Sequence, residues 1–519
     1  MVENLSYLHK SHSLWLSDIE RPKFPKLVDK HNADVVVIGG GIVGVTTALL
    51  LQEQGYNTIL LEARSLASGA SGHTSAKITS QHQVKYSEIL KEVGLKKTQL
   101  YVKASNAGAS LIRQLINKYK IECDYQELPA YVYTTNSQHL ASLKQEQQAA
   151  NKAGLNYEFV KNIESLPFKI AGALQLTGQA QFNPVKYIYG LANAFIKLGG
   201  HIYENSRVSK ISIANPAWAF TRDGLVETNK LVIATHFPIY DFYNGFTARL
   251  HGERSYVIAI KPNSPQPKGI FITADRPILS LRTMIYNGEE LLLVGGCGHS
   301  TGLYQKSVSP YRILMERIKK FYPHAELIAT WSAQDYISLD KLPYIGRLVP
   351  WYGEALVATG FAKWGMTMGS VSALILANLV KNNEHPFKKV FSPSRADMLY
   401  KFMNLMQNGS RFFKHLVISR IKHQTTELSN IAKGDGGIIN YNGKAVGVYR
   451  DFNGKLHAVK PYCSHLGCML SFNKAEKSWD CPCHASRFNY DGSVIESPTR
   501  INLETIVLKG FYNGTDKKD

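Results

Sequence analysis

The feature that most constrains this chain is a short apolar run ending in regularly spaced glycines. Asp34-Val-Val-Val-Ile38 leads into Gly39-x-Gly41-x-x-Gly44, and an apolar stretch over Val45–Gln54 follows. The pattern predicts a buried strand, a tight turn and a helix. Asn57-Thr-Ile-Leu-Leu-Glu62 reads as a second strand, with Glu62 eighteen residues beyond Gly44. Each part has a mechanical reason. Glycines let the backbone approach a pyrophosphate, the helix N-terminus supplies N–H groups and positive potential, and the carboxylate accepts hydrogen bonds from ribose hydroxyls. Strand, turn, helix and acid in register predict an α/β dinucleotide-binding domain, with FAD and NAD both compatible.

Composition narrows the class. The 519 residues are 44% hydrophobic and 19% charged, with 40 Gly. That excludes collagen, a long coiled coil and wholesale disorder. The longest apolar runs, Val35–Val43 and Ala373–Val380, fall well short of the ~20 residues of a spanning helix. Met1–Lys30 lacks the apolar segment and cleavage site of a secretory signal, so a cytoplasmic protein without a transmembrane segment is expected. Sixty Lys+Arg against 40 Asp+Glu give a formal charge of +20. Such a charge suits a solvated basic surface, an acidic substrate or electron-transfer partner, nucleic acid, or an anionic membrane face touched peripherally.

Four of the six cysteines crowd into Cys463–Cys483 beside two histidines. The spacing is Cys463-x-His465, a Cys at 468, then Cys481-Pro-Cys483-His484. A disulfide scaffold would spread its cysteines along the chain, so this cluster reads as a metal site. Zinc is one reading, although zinc fingers do not normally place such a pattern on β hairpins. Turns at Asn442-Gly443 and Asn453-Gly454 between alternating runs predict that the last ~85 residues form a small all-β domain. Ahead of it, residues 381–424 carry nine Lys/Arg (Lys381, Lys388, Lys389, Arg395, Lys401, Arg411, Lys414, Arg420, Lys422) against two acids. With Leu399, Phe402, Met403, Met406, Phe413 and Leu416 on one face, they predict a basic amphipathic helix.

Several segments together resemble FAD-dependent oxidoreductases of the D-amino-acid oxidase and glycine oxidase group. They are Glu62-Ala-Arg64 with Ser68-Gly-Ala-Ser-Gly72, Gln181-Phe-Asn-Pro184, Val208, Leu231–Thr235, Asp340–Gly346 and Thr359-Gly360 through Gly365-Met-Thr367. The resemblance implies an α/β FAD domain over 34–380, preceded by an arm over 1–33 and containing a β-rich substrate subdomain over about 250–335. It implies cofactor contacts from Gly39, Gly41, Gly44, Glu62, Ser71, His73, Val208, Thr235, Gly360, Gly365, Met366 and Thr367. His73 occupies the position at which relatives such as dimethylglycine dehydrogenase carry a histidine covalently bound to the flavin. Gly72 stands where they have a bulky aromatic. Covalent attachment and simple packing both stay open, and Lys77 is an alternative flavin-proximal charge. For the substrate, Arg254 and Tyr256 on one strand, Arg282 on another, and Lys363 beside Trp364 are the catalytic candidates.

The C-terminal pattern, with Trp479-Asp-Cys-Pro-Cys-His484, Asp491-Gly492 and Pro498, resembles the Rieske [2Fe–2S] domain over about 428–519, after a basic linker over 381–427. The resemblance implies that Cys463 and Cys481 bind one iron and that His465 and His484 bind the other. Neutral imidazoles make such a cluster less negative and raise its potential. Cys468 and Cys483 match cysteines that form a disulfide in respiratory members, and their redox state here stays open. Phe488 stands where high-potential members have a tyrosine donating to a ligand sulfur, which implies a lower potential.

A flavin takes two electrons as hydride and a [2Fe–2S] cluster takes one. Together they imply oxidation of an amine or amino acid, C–N to imine, with electrons leaving through the cluster to an external acceptor, in particular an acidic one. Flavin-dependent tRNA-base modification and a non-enzymatic redox sensor are the alternatives. No RNA-binding motif supports the first, and nucleic acid is disfavoured as a partner. A Rieske oxygenase is also disfavoured, because no downstream chain could house a mononuclear iron.

Overall fold

A computed structural model of the chain describes residues 12–17, 19–241, 243–304, 308–395 and 425–508. The chain divides into two compact units. One comprises Met1–Phe246, Ser255–Gly298 and Tyr311–Arg395; the other comprises Thr247–Arg254, His299–Pro310 and Ala396–Asp519.

In the first unit the apolar run becomes the strand Asp29–Ile38, and the helix Ile42–Glu53 springs from the glycine turn. The strand lies between Thr58–Leu61 and Gly224–Ile233, parallel to both. Val35, Val36 and Val37 are buried, as a central parallel strand covered on both faces requires. The sheet runs Tyr344–Val349, Tyr352–Thr359, Gly224–Ile233, Asp29–Ile38, Thr58–Leu61, His201–Tyr203, with a short hairpin attached to Gly224–Ile233. A second, mostly antiparallel sheet includes Glu326–Ser338, Leu279–Tyr286, Ile270–Thr273, Gln126–Thr134, Gly172–Gln181 and Lys77–Ile78. Its strands at Leu250–Lys261 and Glu289–Ser300 belong to the same sheet, and a helix after Asn183 spans Pro184–Lys197. Asn183 caps that helix, its Oδ1 accepting from the amides of Val185 and Lys186.

Two helices complete the site side. Tyr86–Tyr119 is broken at Gly94, whose φ is +77°, and Gly365–Val380 is buried along most of its length. They meet at backbone distance: a Cβ on Gly108 would stand 2.0 Å from the Thr367 carbonyl oxygen. Among the described residues before the first strand, Trp15 and Leu27 are fully buried.

The second unit holds two small antiparallel sheets. Asp435–Tyr441, Lys444–Arg450 and Leu456–Val459 form one, and Ser471–Asn473, Ser478–Asp480, Arg487–Asn489 and Val494–Glu496 form the other. The expected turns at Asn442-Gly443 and Asn453-Gly454 join the first three strands. Val459, Leu470, Trp479, Phe488 and Leu503 pack around Cys463, Cys468, Cys481 and Cys483. Among the described residues no helix is long and apolar enough to cross a membrane.

The approach at Gly108 generates a stability prediction. Gly108→Ala must push two helices apart and should cost about 1–3 kcal/mol, as overpacked sites do. The expected result is a lower midpoint for flavin release on heating; an unchanged midpoint would contradict the close approach.

Candidate cofactor and metal sites

The glycine turn is a place where side chains do not fit. A Cβ on Gly44 would lie 1.8 Å from the Gly39 carbonyl oxygen, and one on Gly39, at φ +115°, would lie 2.4 Å from the Ala234 oxygen. The helix Ile42–Glu53 therefore starts directly off the strand, with no side-chain cap at Gly41. Ser71 lies at this helix end, its Oγ accepting from the Ile42 amide at 3.1 Å. The Glu62 carboxylate is held at the turn by the amides of Gly40 (2.6 Å) and Arg64 (2.8 Å). Asn205 and Ser206 donate their amides to the carbonyls of Arg64 and Glu62, which brings the loop of buried Val208 alongside. Thr235 closes the other flank, its hydroxyl donating to the Phe237 carbonyl at 2.7 Å. The turn, the helix end, Glu62, Val208 and Thr235 form one cradle, and it fits a dinucleotide.

The segment after Ser71 is pinned through its carbonyls. Trp331 Nε1 donates to His73 O at 3.0 Å and Trp15 Nε1 to Thr74 O at 2.8 Å. Arg282 donates to Ser75 O and Ala76 O at 2.9 and 2.8 Å. Burial pulls the Arg282 guanidinium down to about 9. The His73 ring turns back to its own loop, with Nδ1 2.9 Å from Gly69 O. Lys77, next along, donates to Ser280 Oγ, and burial, then Arg282, lowers its ammonium to about 7. The other wall is the turn Gly360–Trp364 and the start of the helix Gly365–Val380, which has no side-chain cap. Such an end favours an anion, as a reduced flavin is. Met366 and Thr367 are buried there, and Thr367 Oγ1 donates to Thr79 O at 3.3 Å.

The four catalytic candidates separate. Arg282 supports the 73–76 segment, and Lys363, at φ +73°, is exposed in the Gly360–Trp364 turn. Tyr256 is fully buried, edge-on to Tyr311 with ring centroids 5.2 Å apart. Arg254 falls in the second unit, ion-paired to Glu476 and Glu496. Sequence reasoning missed a buried polar group at this wall. His82 stacks on Trp364 at 4.5 Å, bonds the Tyr101 hydroxyl at 2.7 Å, and Lys85 donates to the same hydroxyl at 3.0 Å. No spacing in the sequence announces it, because Tyr101 lies on the helix Tyr86–Tyr119 and Trp364 more than 250 residues further on.

In the second unit two loops converge. Cys463–Cys468 follows Leu456–Val459, and Cys481–Ser486 joins Ser478–Asp480 to Arg487–Asn489. Each closes on itself: Cys463 N donates to Cys468 O, and Cys481 N to Ser486 O, both at 2.8 Å. A disulfide between Cys468 and Cys483 staples one loop to the other, with Cα atoms 6.5 Å apart. The sulfurs of Cys468, Cys481 and Cys483 lie within 4.8 Å, but two are spent on that bond, so Cys481 alone of the three keeps a thiol to offer a metal. The remaining donors are buried Cys463 and two imidazoles, His465 and His484, whose centroids are 5.2 Å apart at 88°. The Cys481 thiol pulls Cys463 down, helped by the amides of His465 and Leu466 and the Ser486 hydroxyl, while the same contact and burial push Cys481 up. Burial, then His465, lowers His484 to about 4, so it is a neutral donor. Two thiols and two imidazoles at the tips of stapled loops fit a two-histidine, two-cysteine [2Fe–2S] centre.

Two of the basic residues counted in the linker region are engaged within the described residues. Arg395 belongs to no outer face: its guanidinium grips Asp340 at 3.0 Å through two nitrogens and bonds Pro343 O. Lys388 pairs with Glu384 at 2.9 Å. Lys401, Arg411, Lys414, Arg420 and Lys422, with the expected amphipathic helix, lie outside the described residues.

Comparison with known proteins agrees with both sites. Residues 34–379 match the FAD dependent oxidoreductase family (DAO), and residues 422–507 match the Rieske [2Fe-2S] domain. The chain belongs to the FAD dependent oxidoreductases and carries a C-terminal Rieske domain with its [2Fe–2S] centre. Over nearly its whole length it is similar to YhfW of Bacillus subtilis (strain 168), which carries the name Rieske 2Fe-2S iron-sulfur protein. The two are 34% identical over 495 residues, 95% of this chain and 97% of the other. Gamma-glutamylputrescine oxidoreductase of Escherichia coli (strain K12) is 23% identical, over 70% of this chain and 87% of its own. Glycine oxidase from Geobacillus kaustophilus shares the fold with a TM-score of 0.59 at 20% identity, over 70% of this chain and 99% of the other.

The two-unit division makes the cluster separable from the flavin. His465→Ala and Cys481→Ala should each remove acid-labile sulfide and most of the iron, yet leave FAD content at the wild-type level. Metal and flavin analysis of the purified variants checks this; flavin loss in both would contradict it.

Proposed function

We propose that the protein dehydrogenates a small amine or amino acid and exports the electrons singly through its Rieske centre to an external acceptor. One observation carries the reading: a dinucleotide cradle and a two-cysteine, two-histidine metal site occur on one chain. When bound, FAD accepts a hydride and the [2Fe–2S] centre accepts single electrons. The substrate carbon gives up a hydride, the nitrogen a proton, and C–N becomes C=N. Two electrons then leave in two single-electron transfers to the acceptor, and both protons, the one from nitrogen and the one carried over with the hydride, go to solvent. An oxidase that hands electrons directly to O2 would have no need of the second centre.

The chain's own residues prepare that step. Arg282, Trp15 and Trp331 hold the His73–Ala76 backbone rigid from behind, so the neighbouring wall is preorganised. The uncapped start of the helix Gly365–Val380 offers N–H groups to developing negative charge. Lys77, poised near neutrality, is the proton-exchanging group of the wall. Lys363 is the cation we assign to a substrate carboxylate. Support for the substrate class comes from relatives named for glycine, gamma-glutamylputrescine and L-proline. The net charge of +20 favours an acidic acceptor.

Anaerobic bleaching of the flavin against a panel of amines and amino acids tests the reading, and at least one should bleach it. With an amino-acid substrate, Lys363→Met should raise KM roughly 10–100-fold with little change in kcat, the worth of a charge-assisted hydrogen bond. An unchanged KM would remove Lys363 from the substrate site, and bleaching by no compound on the panel would contradict the substrate class.

A further inference from the structure

The Rieske match begins at residue 422, yet the second unit also takes in Thr247–Arg254 and His299–Pro310. Within that unit Arg254 is 1% exposed. Its Nη2 lies 3.1 Å from Glu476 and its Nη1 3.6 Å from Glu496. Arg487, also buried, bonds Asp480 through Nε at 2.9 Å and Ser478 Oγ through Nη2 at 3.0 Å. Its nitrogens also lie 3.7 Å from Glu476 and 3.5 Å from Glu496. Each glutamate thus stands between two guanidiniums. Asp480 further accepts from Asn473 Nδ2 at 3.0 Å and Ser478 Oγ at 2.8 Å.

This cluster frames the second ligand loop. Asp480 immediately precedes Cys481, and Arg487 immediately follows Ser486. A second segment from outside the Rieske match touches the loop itself: a Cβ on Gly302 would lie 2.6 Å from Pro482 N and 2.9 Å from the Cys481 carbonyl carbon. Two cations and three carboxylates leave a formal charge of minus one in a site largely shielded from water. Charges so placed act over distance with little screening, and breaking a buried pair leaves its partner uncompensated.

We propose that Arg254 is a positioning residue of the [2Fe–2S] centre, completing the ion cluster that frames the Cys481–Ser486 loop and supplying positive charge that favours the reduced state. Reduction adds one negative charge to the centre, so a desolvated cation nearby raises the potential and a carboxylate lowers it. Arg254 stands 168 residues before the Rieske match, so the domain borrows a structural element from the oxidoreductase sequence. The inference is independent of the substrate.

EPR-monitored redox titration of the full-length holoprotein tests it, with iron, sulfide and FAD measured alongside. Arg254→Gln should shift the reduction equilibrium about tenfold against the reduced centre, a fall of about 59 mV for one electron. Arg254→Lys keeps the charge and should recover at least half of that shift. Glu496→Gln removes a negative charge and should move the potential upward. If Arg254→Gln fails to retain the centre, restored iron and sulfide in Arg254→Lys together with the upward shift in Glu496→Gln support the proposal. A wild-type potential in Arg254→Gln at full iron content overturns it. So does a shift of the same sign in all three variants, which would mean disruption without regard to charge.

Discussion

The carbonyl oxygen of Gly39 fills the space that a side chain on residue 44 would need, at 1.8 Å from its Cβ. That one contact lets the helix Ile42–Glu53 turn back directly from the central strand with its first N–H groups presented at the turn. Much of the first unit follows from it. The helix Gly365–Val380 packs on Ile42–Glu53, where a Cβ on Gly369 would come within 3.1 Å of Ile42 and Val43. The helix Tyr86–Tyr119 then meets Gly365–Val380 at Gly108 and Thr367. One stack of close approaches therefore sets both ends of the cofactor cradle: the glycine turn with Glu62, and the uncapped helix start at Gly365.

The second unit solves a different problem. Its centre needs two thiolates and two neutral imidazoles at the tips of loops, where backbone is least constrained. The Cys481 thiol and the amides of His465 and Leu466 favour the Cys463 thiolate, and burial keeps His484 neutral. The Cys468–Cys483 disulfide ties one loop to the other. The buried arginines and carboxylates around Asp480 and Arg487 then hold the base of the second loop. Burying that much charge is expensive, and its place beside the metal ligands gives it an electrostatic use.

Legibility in the sequence followed the range of the interaction. The strand, turn and helix at 34–54, the strand ending at Glu62, the helix after Asn183 and the hairpins at Asn442 and Asn453 are local, and periodicity or turn chemistry reveals them. The four donors proposed for the metal, Cys463, His465, Cys481 and His484, were legible as a group because their spacing is itself the signal. Arg254 was not: on a strand it reads as a candidate for a substrate carboxylate, and only the fold shows Glu476 and Glu496 around it. Arg395 likewise reads as part of a basic surface until its pairing with buried Asp340 is seen. Trp15, in a polar arm, and Trp331 act together on consecutive carbonyls of the 73–74 segment from positions more than 300 residues apart. The His82–Tyr101–Lys85 group is hidden for the same reason.

The central claim is that two electrons taken from a carbon–nitrogen bond leave one at a time through the Rieske centre. Anaerobic stopped-flow mixing with a substrate that bleaches the flavin, with freeze-quench EPR on the same reaction, tests it directly. The account predicts that the flavin absorbance falls first, and that the reduced [2Fe–2S] signal then grows at a rate no slower than turnover with the acceptor. A flavin that is fully reduced while the centre stays oxidised throughout turnover, with the electrons recovered as hydrogen peroxide once oxygen is admitted, would contradict it.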